Sequence, residues 1–137
     1  MNRIYLFILA LIVLSSCKDD DGSQYSAIAD FIGEWELEGR VLNDGLPLEV
    51  GEESLVFSED NNFEDLMGLY TLSNGTESNG HFFISTPSYE LNFENSTGEL
   101  LTSEFNIYNG ILTLEYINSE DNIVREVWRK DYSHDTE

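Results

Sequence analysis

The sequence predicts an all-β fold, an antiparallel up-and-down β-barrel of about eight strands behind a short N-terminal helical turn. Three observations carry that expectation. Short β-rich segments recur from residue 32 to residue 130, each bounded by Gly, Asn, Asp or Pro. Within them polar and apolar residues alternate, as in a sheet with one buried and one wet face. Finally, the content of 41% hydrophobic and 12% aromatic residues is too high for a disordered acidic chain, so a packed core is expected despite a formal net charge of -21.

The elements follow in order. Tyr25 to Phe31 has room for one or two helical turns, with Ile28, Phe31 and Ile32 at i, i+3, i+4 spacing. Strand-like segments then cover 32–42, 46–50, 53–58, 63–72, 80–86, 88–95, 99–108, 111–118 and 123–130. These make nine strands, or eight if Gly51 marks a bend within one. Asn43-Asp44-Gly45, Asn74-Gly75, Asn79-Gly80, Thr97-Gly98 and Asn109-Gly110 stand in the gaps, and Pro87 belongs to an edge, a bulge or a turn. Asn109-Gly110 is the strongest hairpin signal, because a type I′ turn needs positive φ at both central residues. In the first strand, alternation puts Trp35, Leu37, Gly39 and Val41 on one face and Glu34, Glu36, Glu38 and Arg40 on the other. Successive hairpins favour a meander, and closure into a barrel would remove exposed edges; the alternative arrangement of the same strands is a β-sandwich.

The first residues read as an address. Arg3 precedes eleven residues, Ile4 to Leu14, that are apolar but for the Tyr5 hydroxyl. As a helix they would rise only about 16 Å, half of a hydrocarbon core, so a cleaved signal peptide fits better than a permanent span. Leu14-Ser15-Ser16-Cys17 resembles the bacterial lipobox, whose cysteine is diacylated and becomes the mature N-terminus; Cys17 is the one cysteine of the chain. Two acyl chains would anchor the protein stably. The expected organisation is a lipoprotein signal peptide over 1–16, an acylated acidic tether over 17–24, a barrel domain over 25–132 and a polar tail over 133–137. Lys18-Asp19-Asp20-Asp21 is similar to a surface-export signal of bacterial lipoproteins, so the expected location is the outer membrane, at the cell surface or on its periplasmic face.

Phe31-Ile32-Gly33-Glu34-Trp35-Glu36-Leu37 resembles the Gly-x-Trp signature of lipocalins and of the lipocalin-like domains of bacterial lipoproteins. Gly68-Leu69-Tyr70-Thr71-Leu72 is similar to a Gly-x-Tyr-x-Leu strand of those domains. Asn109-Gly110-Ile111-Leu112-Thr113-Leu114 resembles their penultimate hairpin, and Val127-Trp128-Arg129-Lys130 their closing basic strand. The resemblance implies that Trp35, placed by Gly33, lies across the closed end of the barrel beneath an arginine of the last strand. Arg129 matches that position, with Arg125 on the same face as the other choice. The short loops and the missing disulfide depart from larger lipocalins.

Several chemistries find no support. An excess of 27 Asp+Glu over 6 Lys+Arg repels phosphate backbones, so no nucleic-acid partner is expected. One Cys and two His exclude a disulfide framework and multi-cysteine zinc patterns, so neither metal nor cofactor is expected. Acidic pairs such as Glu52/Glu53 and Glu120/Asp121 are so common here that pairing carries no catalytic information, and Gly-x-Ser-x-Gly, His-Glu-x-x-His and phosphate-loop motifs are absent from the sequence. Asp60-Asn61-Asn62-Phe63-Glu64-Asp65 begins like a calcium loop but has Asp65 where an EF-hand needs Gly and Thr71 where it needs Glu. A non-enzymatic binding module is expected, holding a small apolar or amphipathic molecule between Leu37, Phe57, Phe83 and Leu114, with Tyr70 and His81 as polar handles. The alternative is a pocketless interaction protein, an inhibitor-like barrel or accessory subunit whose acidic surface meets a basic partner protein.

Overall fold

The computed structural model describes residues 27–133. The expected leader, the tether with Cys17 and all but the first residue of the polar tail lie outside them.

Nine strands run β1 (Gly33–Leu42), β2 (Pro47–Leu48), β3 (Ser54–Glu59), β4 (Met67–Ser73), β5 (Glu77–Ser85), β6 (Glu90–Asn95), β7 (Leu100–Tyr108), β8 (Ile111–Ile117) and β9 (Ile123–Asp131). From β3 to β9 each strand pairs antiparallel with the next, and β1 pairs with both β3 and β9, which closes an eight-stranded up-and-down barrel. The sandwich alternative is thereby excluded, since first and last strands share a ladder from Glu34↔Asp131 to Leu42↔Val124. The two-residue β2 is the extra strand. It pairs with Arg40 and Val41 on the edge of β1 that β3 occupies at Gly33 to Glu36, so β2 and β3 are two pieces of one lane broken around Gly51.

Local chemistry fixes the boundaries. Asn109 and Gly110 both take positive φ, 52° and 74°, as a type I′ hairpin requires. The fourth expected segment begins at Met67 rather than at residue 63, because Asp60, Asn62 and Asp65 accept backbone N–H groups of Asn62, Glu64 and Met67 and hold the chain in turns. Asn79-Gly80, expected as a turn, lies inside β5 instead. A Cβ at Gly80 would collide with the Glu94 carbonyl oxygen, so this glycine serves the close approach of β6. The N-terminal segment makes bonds from Phe31 N–H to the Ile28 carbonyl and from Ile32 N–H to the Ala29 carbonyl, which form tight turns and no helix.

Face assignment follows the ladders, with two corrections. In β1 the register shifts between Leu37 and Gly39, and this bulge inverts the alternation: Trp35 and Leu37 point inward, Glu38 outward, and Arg40 inward again. Arg40 therefore leaves the wet face on which strict alternation put it. In β5, Phe82 is the buried residue at 0% exposure, while His81 is exposed and Phe83 lies on the outer side. Tyr70 points inward opposite Gly80, so the even-numbered members of β5 follow it into the barrel.

Candidate functional site: the open end of the barrel

One end of the barrel is solid. Ile28 and Phe31 of the N-terminal turn are buried in it as a plug, and the Phe31 ring lies 5.6, 5.7 and 5.2 Å from those of Phe57, Phe82 and Phe105. Trp35 is fully buried beside them and donates its indole N–H to the Phe31 carbonyl at 2.8 Å, so it ties the plug to β1. Gly68 makes room for that plug: a Cβ there would come within 2.7 Å of the Ile28 Cδ1 and 2.6 Å of the Phe82 Cε1. The cation over Trp35 is Lys130, with Nζ at 5.4 Å from the ring, and not Arg129. Lys130 is the ladder partner of inward-facing Trp35, whereas Arg129 and Arg125 fall on the outer face and pair with Glu38 and with Glu115 and Asp44. A Cβ at Gly33 would meet the Lys130 side chain at 2.8 Å, so the glycine gives that lysine its path to the indole.

The other end is hollow. A cavity of about 310 Å³ is walled by Leu55, Tyr70, Phe93, Leu114 and Trp128 and rimmed by exposed Asn74, Glu99 and Leu100. Eight strands enclose an interior that side chains just fill or that holds one small ligand. Here the plug fills one half, and no segment among the described residues does the same for the other. Leu101, at the mouth, keeps 37% exposure.

Along one wall stands a charged cluster that the β1 bulge creates. Arg40 donates through Nη1 and Nη2 to the two carboxylate oxygens of Glu53 at 3.0 and 2.9 Å, and through Nε to Glu126 Oε1 at 2.9 Å. The Tyr116 hydroxyl donates to the same Glu126 oxygen at 2.9 Å, and the Trp128 indole N–H donates to Glu126 Oε2 at 3.0 Å. Glu126 is 5% exposed, so this set of donors offsets the desolvation of a carboxylate inside the barrel. The Glu53 hydrogen bond, followed by those of Glu126, holds the Arg40 guanidinium charged well above its ordinary range against the opposing effect of burial. Burial, aided by the nearby Glu126 carboxylate, pushes the Tyr116 hydroxyl well above the usual phenol value. Burial likewise raises Tyr70, against a hydrogen bond with Ser78.

Of the expected pocket residues, Tyr70 and Leu114 line the cavity. Leu37 and Phe57 belong to the packed core, while His81 and Phe83 stand outside the barrel. Arg40, Glu53, Tyr116, Glu126 and Trp128 were not expected here. The alternation of β9 alone would have placed Glu126 and Trp128 on one face, but nothing in the sequence announces the bulge that brings Arg40 to them. Among the described residues, no group of three or more His, Cys, Asp or Glu is arranged to hold a metal ion.

The fold is similar to those of two solved barrels. One is a redesigned β-barrel, at TM-score 0.54 and 10% identity, covering 78% of this chain and 96% of that one. The other comes from the de novo design of a fluorescence-activating β-barrel, at TM-score 0.53 and 15% identity, covering 77% and 98%. At such identities the likeness concerns the fold alone. No protein-family model and no curated protein matches the sequence.

Proposed function

We propose that this chain is a lipid-anchored, lipocalin-like binding protein of the cell envelope that holds a small apolar or amphipathic molecule in its barrel without transforming it. One observation carries this reading: the barrel is plugged at one end and hollow at the other, with aromatic and aliphatic walls around about 310 Å³. That volume falls at the small end of the range for ligand pockets. The lipobox-like Leu14-Ser15-Ser16-Cys17 supports the anchor, and the acidic segment over 17–24 reads as its tether. Because the chain enters the barrel at the plugged end, an anchor at Cys17 leaves the mouth free to turn from the membrane. The pocketless inhibitor-like reading has less support, since it gives the hollow end no task.

Native mass spectrometry of the protein purified from its own envelope tests the function. A co-purifying small molecule, lost when Leu114→Trp fills the cavity, is the expected result; an empty barrel that fails to bind any apolar dye up to its solubility limit overturns it. For the anchor, mass spectrometry of the mature N-terminus is expected to show diacylglycerol on Cys17, with Cys17→Ala released from membranes. A free Cys17 thiol on membrane-bound protein overturns that part alone.

A further inference from the structure

The cavity has a sign. Its lining carries one guanidinium, Arg40, against three carboxylates, Glu53, Glu99 and Glu126. The single cation is already committed: Nη1 and Nη2 donate to Glu53, Nε donates to Glu126, and Nη2 also lies 2.7 Å from Glu126 Oε1. A carboxylate ligand would have to displace one of these partners and leave a second anion desolvated beside the first. A ligand ammonium meets no such obstacle. It finds surplus carboxylate on the wall and at the rim, next to the aromatic rings of Tyr70, Phe93, Tyr116 and Trp128, which also favour cations. Inside a half-enclosed site these charges are screened less than on the open surface.

Resting on the binding role proposed above, we infer that the cavity selects amphiphiles by head group: it takes molecules with an apolar body and a cationic amine, accepts neutral alcohols less well and rejects fatty-acid-like carboxylates. The selection belongs to the Arg40–Glu53–Glu126 wall and the Glu99 rim, not to the acidity of the molecule at large. The carboxylates outside the barrel act through water and within a Debye length of about 8 Å at physiological salt.

The test uses a matched series of water-soluble probes, phenylbutylamine, phenylbutanol and phenylbutyrate, and the full chain in neutral-lipid nanodiscs. Dissociation constants are measured by ligand-detected NMR at physiological salt, with empty nanodiscs subtracted. The amine is expected to bind about tenfold or more tighter than the carboxylate, with the alcohol between them. Glu53→Gln and, separately, Glu99→Gln are expected to shrink that ratio, whereas Glu94→Gln on the outer face of β6 leaves it unchanged. Glu99 is exposed at the rim, so its variant keeps the fold even if Glu53→Gln does not. A carboxylate that binds as tightly as the amine overturns the inference while leaving a binding barrel in place. A ratio that Glu94→Gln alters as much as Glu99→Gln also overturns it, by assigning the preference to the general field. No binding by any of the three overturns both the inference and the binding function beneath it.

Discussion

At the plugged end, the rings of Phe31, Phe57, Phe82 and Phe105 approach one another at 4.7 to 5.7 Å around a buried Trp35. At the open end, the same β1 and β9 send Arg40 and Glu126 inward, with Glu53 and Tyr116 beside them. The two ends differ in how they hold the fold. Each fully buried apolar side chain contributes about 1.5–3 kcal/mol, whereas buried ion pairs roughly break even against their desolvation. The plug therefore supplies stability that the charged cluster of the open end does not, and that cluster, with the empty volume beside it, is carried by the apolar packing around it.

The comparison predicts unequal responses to mutation. Trp35→Ala is expected to have the largest effect, a loss of about 3–5 kcal/mol in denaturant unfolding, since it both empties a fully buried site and releases the Phe31 carbonyl. A loss under about 1 kcal/mol would show that the plug does not hold the barrel. Gly68→Ala comes next, at about 1–3 kcal/mol, because its methyl meets the Ser58 carbonyl oxygen at 2.6 Å as well as the Ile28 and Phe82 side chains. An unchanged midpoint would mean that the Ser58 backbone and the Ile28 and Phe82 side chains all yield to the methyl without cost, and that the plug is loosely packed over that strand.

Arg40→Met probes the other end and is expected to cost less, about 1–2 kcal/mol, because the cluster is partly open to water, with the Arg40 side chain 24% exposed. The cost arises from two carboxylates left facing each other. Adding Glu53→Gln to Arg40→Met should therefore recover part of it. Additive losses in that double variant would assign the effect to lost packing of the arginine stem instead.

Strand order and closure were legible in the sequence because each hairpin carries its own turn residues, as at Asn109-Gly110, and each strand its own alternation. The plugged end was half legible: Ile28, Phe31 and Trp35 stood out, but the choice lay between Arg129 and Arg125, two residues of one face, where ladder parity gives the place over Trp35 to Lys130 of the other face. The site was the least legible part. Phe82 and Phe83 are adjacent and equally apolar, so alternation does not say which enters the barrel; the pairing of Tyr70 with Gly80 does. Arg40 was hidden for a different reason. A bulge adds one residue and inverts every face beyond it, and the run Leu37-Glu38-Gly39-Arg40 reads as unbroken alternation until the shift opposite Val127 and Trp128 is seen.

The smallest expected effect concerns alkaline pH and separates the ends by titration. The Tyr116 hydroxyl, inside the open end, is raised above its ordinary value of 10.0 first by burial and then by Glu126. The folded protein therefore keeps this proton at a pH where the unfolded chain has lost it. A group raised in the fold contributes stability that is fully present below the unfolded value and is lost as pH rises through the folded one. Stability is thus expected to be insensitive to Tyr116 up to about pH 9 and to fall above pH 10 as the unfolded state sheds its proton. Tyr116→Phe removes a hydroxyl donor to Glu126, which shifts the whole curve by about 1 kcal/mol, but its signature is a shallower fall above pH 10, with Tyr70 supplying part of the slope that remains. Denaturant midpoints of both proteins between pH 7 and 11 read this out. Parallel curves across that window would show that the open end admits enough water to solvate a phenolate, and would remove Tyr116 from the buried wall of the cavity.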